Sequence, residues 1–292
     1  MEKDKRNQIL KRIASISILI LIIVLLALIS NVTDKKFKYI VDESKLQIIY
    51  FDVGQADSTL IMNNGKTILI DGGNDSDGDN LVKYIKSQKI SKIDTVIATH
   101  LHADHIGGLD DIIDNFDIGT VYMPDTINTD KQVEEFLDAM ERKNLNYEAP
   151  EVGRKFKNGL ADCEVMAIDN DAKDLNNSSI VIQMNYLEQS YLFMGDSEKE
   201  VENSRDWNKV NVLKVGHHGS NTSSTERFLN KIRPEIAIIS VGLNNKYNHP
   251  STEVLNRFKN LNTTIYRTDE DGSLLLESDG KENIIRKIKA KY

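Results

Sequence analysis

The sequence predicts an α/β protein: two packed mixed β-sheets flanked by helices, preceded by one N-terminal transmembrane helix. Three observations predict it. Strand-like and helix-like runs alternate along most of the 292 residues. They gather into two β-rich halves, each with its own flanking helices. A long uncharged apolar run stands in front of both.

That run, IASISILILIIVLLALI, covers 17 residues from Ile13 to Ile29, the short end of the range for a spanning helix. Residues 1–12 form a basic tail, 13–30 the anchor and 31–44 a polar linker. A cleaved signal peptide, followed by secretion, is the alternative, but Leu28, Ile29 and Ser30 make a poor small-residue cut site. A lipoprotein would need a cysteine directly after the run, and a buried core helix would show a polar stripe; neither is there. Lys3, Lys5, Arg6, Lys11 and Arg12 precede the span and only Lys35, Lys36 and Lys38 follow it closely. This bias places the N-terminus inside the cell and residues 45–292 outside.

Within 45–292 the elements follow in order. LQIIYFDVG and STLIMNNGKTILIDGG are β-rich and punctuated by Asn-Gly and Gly-Gly, which predicts a hairpin. DNLVKYIKSQ has helical spacing, and DTVIATH is a short apolar strand. HIGGLDDIIDNF, GTVYMPD and TDKQVEEFLDAMERKN predict helix, strand and helix. The second half starts near Val152. CEVMAI, SSIVIQMNY and QSYLFMGD predict strands, SEKEVENSRDW a polar helix, and VNVLKVG a strand leading into HHGS. TERFLNKIRP, EIAIISVG, STEVLNRFKNL and TTIYRT continue the alternation, and DGSLLLESDG with its flanks closes in a hairpin. No linker divides the halves.

Composition narrows the chemistry. The net charge is −8, and the first twelve residues carry five basic and two acidic groups, so the rest carries −11. An acidic domain is a poor partner for a long polyanion, and one apolar span excludes a multi-span DNA channel. The single cysteine, Cys163, excludes an internal disulfide.

Three of the six histidines lie in one stretch, ATHLHADHIGGL. His100 and His102 are two apart at a strand end and project the same way if extended geometry persists. Asp104 and His105 come as the chain turns, and Gly107 and Gly108 permit close backbone approach. Imidazole and carboxylate are ligands for zinc and also suit manganese or iron. His217 and His218, in LKVGHHGS, and His249, in NKYNHP, also follow strands, as do Asp71 and Asp196. Of the adjacent pair His217 and His218, one is expected as a ligand and the other as a supporting donor. Asp71, followed by two glycines, is expected to orient ligands and backbone. Charged groups closing apolar strands point to one shared edge.

The series FDVGQADS, DGG, THLHADHIGG, NNSS, FMGD, LKVGHHGS and NHP resembles the metallo-β-lactamase superfamily, in the branch found as the C-terminal domain of ComEC-type competence proteins. The likeness runs in order from about Leu46 to Val254. It implies an αββα sandwich with two divalent cations at its open edge, Zn2+ foremost and Mn2+ as the substitute. By the family pattern His100 and His102 serve one metal, Asp104 and His105 the other. Asp196 bridges both, and His217 completes the second. Two departures stand out. Ala56 replaces a glycine of the family pattern and is strained if its φ is positive. Asn177 stands where many superfamily hydrolases have another histidine, which leaves single-metal occupancy open.

The resemblance implies a metal-dependent hydrolase that attacks an ester through an activated water. Asp104 and Asp196 take part in catalysis, His218 or His249 donates to the oxyanion or leaving group, and Asn177, Ser220 and Asn221 contact substrate. The expected activity is a phosphodiesterase or nuclease outside the membrane, acting on single-stranded or short DNA. Alternatives are hydrolysis of another envelope ester (a phosphocholine ester, a lactone or a β-lactam) and a non-catalytic metal-binding partner in a DNA-uptake complex.

Overall fold

The computed structural model describes residues 16–18, 20–22 and 37–288. Most of the expected anchor at 13–30 lies outside the described residues; the six that are described are helical. Among the described residues no helix is long and apolar enough to cross a membrane. Residues 1–39 and 40–292 are separate compact units. The second begins five residues before the expected boundary, because Ile40 is strapped down: its N–H donates to Gln88 Oε1 and its carbonyl accepts from Gln47 Nε2.

The second unit contains fifteen strands among the described residues. They are β1 (Leu46–Tyr50), β2 (Thr59–Asn63), β3 (Lys66–Ile70), β4 (Lys92–Ile97), β5 (Asp117–Tyr122), β6 (Tyr147–Glu148), β7 (Lys155–Asn158) and β8 (Ala161–Ala167). There follow β9 (Val181–Tyr186), β10 (Gln189–Phe193), β11 (Val212–Lys214), β12 (Ile236–Ile239), β13 (Thr264–Arg267), β14 (Ser273–Ser278) and β15 (Asn283–Ile288). One sheet has the order β15-β14-β1-β2-β3-β4-β5-β6, the other β13-β12-β11-β10-β9-β8-β7. Each is antiparallel through one half and parallel through the other, from β3 to β6 and from β10 to β13.

Side-chain alternation explains the layering. Ile48 and Tyr50 of β1 join Ile182, Tyr191 and Phe193 in a core between the sheets. The intervening Ile49 is equally buried, so this strand is covered on both faces. Helices α1 (Gly78–Ser87), α2 (Leu109–Asn115) and α3 (Lys131–Arg142) bury one face each, and Tyr84 of α1 meets the Phe51 ring edge-on at 5.3 Å. On the other side α4 (Glu226–Ile232) and α5 (Thr252–Asn260) bury Phe228, Leu229, Val254 and Phe258 against Leu192, Leu213 and Ile239. Thr225 and Ser251 cap these two helices by accepting the N–H groups of Phe228 and Val254. The architecture is the expected αββα sandwich of two mixed sheets.

Four local differences have physical reasons. The expected helix at 105–116 is broken, with one turn at Ala103–Ile106 and α2 beginning at Leu109. The expected helix at 197–207 is helical only at Lys199–Asn203, since the chain then leaves it to bury Trp207. The edge strand β7, KFKN, is lysine-bearing and too polar to stand out. The two-residue β6 is too short to leave a pattern.

Candidate metal centre

The ends of parallel strands from both sheets meet at one edge. β3 runs into Asp71, β4 into Thr99 and His100, β10 into Asp196 and β11 into the 216–219 turn. Backbone hydrogen bonds stitch the loops together. Asp57 N donates to Asp104 O at 3.1 Å, Gly72 N to His105 O at 2.6 Å and Gly73 N to Asp57 O at 2.8 Å. Gly107 and Gly108 serve this packing rather than an approach to the cleft. A Cβ on Gly107 would strike Asp75 N and Ala103 O, and one on Gly108 would lie 2.5 Å from Gly72 O. Ala56 is buried and is not among the residues with positive φ, so no strain arises there.

Asp71 is the organiser at the base. Its Oδ1 accepts the Thr99 N–H at 2.8 Å, and its Oδ2 faces both the Thr99 hydroxyl and His105 Nδ1 at 2.8 Å. The opposite nitrogen, His105 Nε2, lies 3.3 Å from Asp196 Oδ1. His100 Nδ1 sits against the hydroxyls of Thr99 and Ser179, which turns Nε2 toward His102 Nδ1 at 3.0 Å and Asp196 Oδ2 at 3.9 Å. His218 Nδ1 is held by the Ser240 carbonyl at 2.9 Å, and its Nε2 is 3.5 Å from both Asp104 Oδ2 and Asp196 Oδ2. Asp196 therefore stands at the centre of the histidines.

These side chains fit a divalent cation. His105 Nε2, His218 Nε2 and Asp196 Oδ1 are buried and have no hydrogen-bond partner, although each faces another ligand-type atom. Two sets of ligand atoms, His100–His105–Asp196 and Asp104–His105–His218, each converge within 4.8 Å. A carboxylate behind His105, a backbone carbonyl behind His218 and two hydroxyls behind His100 fix the nitrogen each ring presents, as metal-binding histidines require.

Electrostatics express the same demand for positive charge. Burial disfavours a charged His105, yet Asp196 and Asp71 on either side push its pKa well up. Burial likewise opposes a charged His218, while Asp196 and Asp104 raise it. Burial would raise Asp196, but His105 and His218 hold it well below the usual carboxylate range. Asp104 is also lowered, its burial outweighed by the His218 ring 3.5 Å away and by His105. His100, buried and beside His105, is pushed down and stays neutral.

The second imidazole set differs from the expectation. His217 was placed there by the family pattern, but the structure puts His218 against Asp104 and His105. Both histidines adopt left-handed backbone, φ 47° and 50°, so their rings diverge. His217 is partly exposed; its Nδ1 contacts Glu198 Oε1 at 2.8 Å and Thr222 Oγ1 at 3.2 Å, and its Nε2 is 4.0 Å from Asp196 Oδ2.

A cleft of ≈ 370 Å³ lies over the cluster, lined in part by His102, Asp104, Asn176, Asp196, His217, His218, Tyr247 and His249. His249 stacks on Tyr247 and meets His217 at 5.7 Å between ring centres. Burial and the two neighbouring histidines bring its pKa down to about 4. Asn177, expected to contact substrate, is turned away: its Oδ1 accepts the Glu198 N–H, and its Nδ2 donates to Asp174. Asn176 faces the cleft instead. Ser220 is buried and bonded to Thr222, which corrects the expectation of a substrate contact. Asn221 borders an adjoining depression of ≈ 290 Å³ that shares Tyr247 and His249.

Sequence reasoning missed Glu198, Asn176 and Lys214. Lys214 alone left a signal, as a charged residue inside an apolar strand. Its Nζ donates to Asp57 Oδ2 at 2.6 Å, and both groups are buried.

Comparison with known proteins agrees with this architecture. The chain is 29% identical to ComE operon protein 3 of Bacillus subtilis (strain 168) over 256 residues, 79% of this chain and 33% of the relative. It is 30% identical to Recombination protein 2 of Haemophilus influenzae over 236 residues, 78% of this chain and 28% of the relative. The chain thus spans about a third of the length of these curated relatives. The crystal structure of the metallo-beta-lactamase fold protein YhfI from Bacillus subtilis superposes with a TM-score of 0.57 at 11% identity, covering 80% of this chain and 100% of that one. The stretch from Phe51 to Gly242, which carries both the 100–105 turn and the His217–His218 pair, matches the Metallo-beta-lactamase superfamily description. With the fold, the ligand-type cluster and this match in agreement, the chain belongs to the metallo-beta-lactamase superfamily.

Proposed function

We propose that this protein is a metal-dependent hydrolase of phosphodiester bonds in short or single-stranded nucleic acid, anchored by residues 13–30 with its domain outside the membrane. One observation carries the reading: Asp196 reaches toward His100, His105 and His218 at the floor of an open cleft, where buried ligand-type atoms face one another unpartnered.

His100, His102 and Asp196 are the residues for one cation, and Asp104, His105, His218 and Asp196 for a second. A divalent cation there, Zn2+ or Mn2+, supplies Lewis acidity and lowers the pKa of water. The protein's own part is orientation. Asp71 and the Ser240 carbonyl fix two imidazoles from behind. Glu198 and Thr222 hold His217 so that its Nε2 faces the cleft, within reach of a substrate oxygen. His249, with an unpartnered Nδ1 and a lowered pKa, stays neutral at physiological pH and serves as a hydrogen-bonding wall.

Substrate class is supported by the mouth of the cleft. Tyr247 is half-exposed, and Lys246 lies 4.9 Å from its ring centre. An aromatic face beside a cation suits a base and its phosphate. The name of one relative, Recombination protein 2, adds DNA by analogy. The acidic balance of the domain favours short substrates over long duplexes. Metal-loaded protein should therefore hydrolyse bis-nitrophenyl phosphate and short single-stranded DNA in preference to lactones and nitrocefin. Chelation should abolish this turnover. Undiminished activity of a His102→Ala, Asp104→Ala double variant would overturn the reading.

A further inference from the structure

The FDVGQADS motif has no role in the mechanism above, yet its Asp57 is buried directly beside the cluster. Its partner explains how it is held. Lys214 ends β11, in which Val212 joins the inter-sheet core and Leu213 the helix-side core. Alternation sends Lys214 back between the sheets. A lysine there is costly unless paired, and its Nζ donates to Asp57 Oδ2 at 2.6 Å and to the Val215 carbonyl at 3.2 Å.

That pairing occupies one carboxylate oxygen. Asp57 Oδ1 is buried and has no hydrogen-bond partner. The residue is fixed on both sides, its N–H donating to Asp104 O and its carbonyl accepting from Gly73 N. A carboxylate oxygen of Asp57, one of Asp196 and a ring nitrogen of His218 lie within 4.8 Å of one another. A purely structural ion pair gives no reason to leave an anionic oxygen unpaired in the interior, on a carboxylate that lies beside two ligand groups.

We propose that Asp57 is a further ligand of the cation assigned to Asp104, His105 and His218, with Lys214 as the positioning residue that holds its other oxygen. The extra hard oxygen suits cations that accept more than four mixed nitrogen and oxygen ligands. Lys214 also offsets part of the negative charge that Asp57, Asp104 and Asp196 bring together. This inference rests on the metal-binding reading above.

The test uses the full chain, stripped with a chelator and titrated with Zn2+ against a chromophoric competitor. Asp57→Asn alone strands the Lys214 charge in the interior, so the informative variant is Asp57→Asn with Lys214→Met. Removing both charges of a buried pair together is close to neutral for folding. The double variant should melt within about 4 °C of the parent in chelator. It should bind one Zn2+ equivalent at least about tenfold more weakly, and its Co2+-substituted form should show a changed visible spectrum. Parental affinity, stoichiometry and Co2+ spectrum in a folded double variant would overturn the proposal. A parent chain that binds no Zn2+ would instead remove the metal-binding reading itself, so the two failures are distinguishable.

Discussion

At the scale of single residues, the cluster is a set of charges that need a cation. Asp71 orients His105 and carries the charge behind it. Asp71→Asn keeps the shape and removes that charge, and metal affinity should fall about 10–100-fold in a chelator-competition titration. The pH response has a definite sign. In the metal-free protein His105 and His218 have raised pKa values, so the stability they contribute is full below their unfolded value and is lost as pH rises through the folded ones. Asp104 and Asp196 are lowered, and their contribution disappears only toward acid. A bound cation displaces the imidazole protons, so metal affinity rises with pH. The drop in melting temperature caused by a chelator should therefore be small near about pH 6 and larger near about pH 8; an equal drop at both would contradict this. The cluster at 100–105 was legible because its residues are contiguous. His217 and His218 could not be told apart, since left-handed backbone at both positions sends their rings different ways. Asn177 and Asn176 were confused for a similar reason, as a single turn decides which amide faces the cleft.

At the scale of elements, loops are positioned by close backbone packing. Gly107 lies where the one-turn helix Ala103–Ile106 presses on the 74–75 backbone. Gly107→Ala should cost about 1–3 kcal/mol of stability by overpacking, read as a lower urea midpoint of the metal-free protein. Metal affinity should weaken as well, because Asp104 and His105 are carried on that turn. An unchanged midpoint would mean that the turn yields freely. Apolar periodicity made most strands visible, and Asn64-Gly65 marked the β2–β3 hairpin, both residues having positive φ. The polar edge strand β7 and the break at Gly107–Gly108 were hidden, because packing partners far along the chain decide them.

At the scale of the whole molecule, strand pairing over long sequence distances creates the site. The C-terminal β14 returns to pair with β1, Leu46 opposite Ser278, so the two halves close into one unit. No local pattern announces that pairing, whereas the two-sheet class followed from alternation alone. The sandwich brings the β4 and β10–β12 ends to one edge, and Lys214 meets Asp57 across 157 positions. A bound cation links these loops and should stabilise the fold by about 2.7 kcal/mol at a hundredfold excess over its dissociation constant. Calorimetric scans with and without Zn2+ read this directly. The most direct measurement of the central claim is elemental analysis of the purified full chain after exposure to Zn2+ and Mn2+, beside an Asp196→Ala variant. The parent should retain about one or two divalent cations per chain and the variant should lose them. A parent chain that retains none, with its melting temperature unmoved by either metal, would contradict the account.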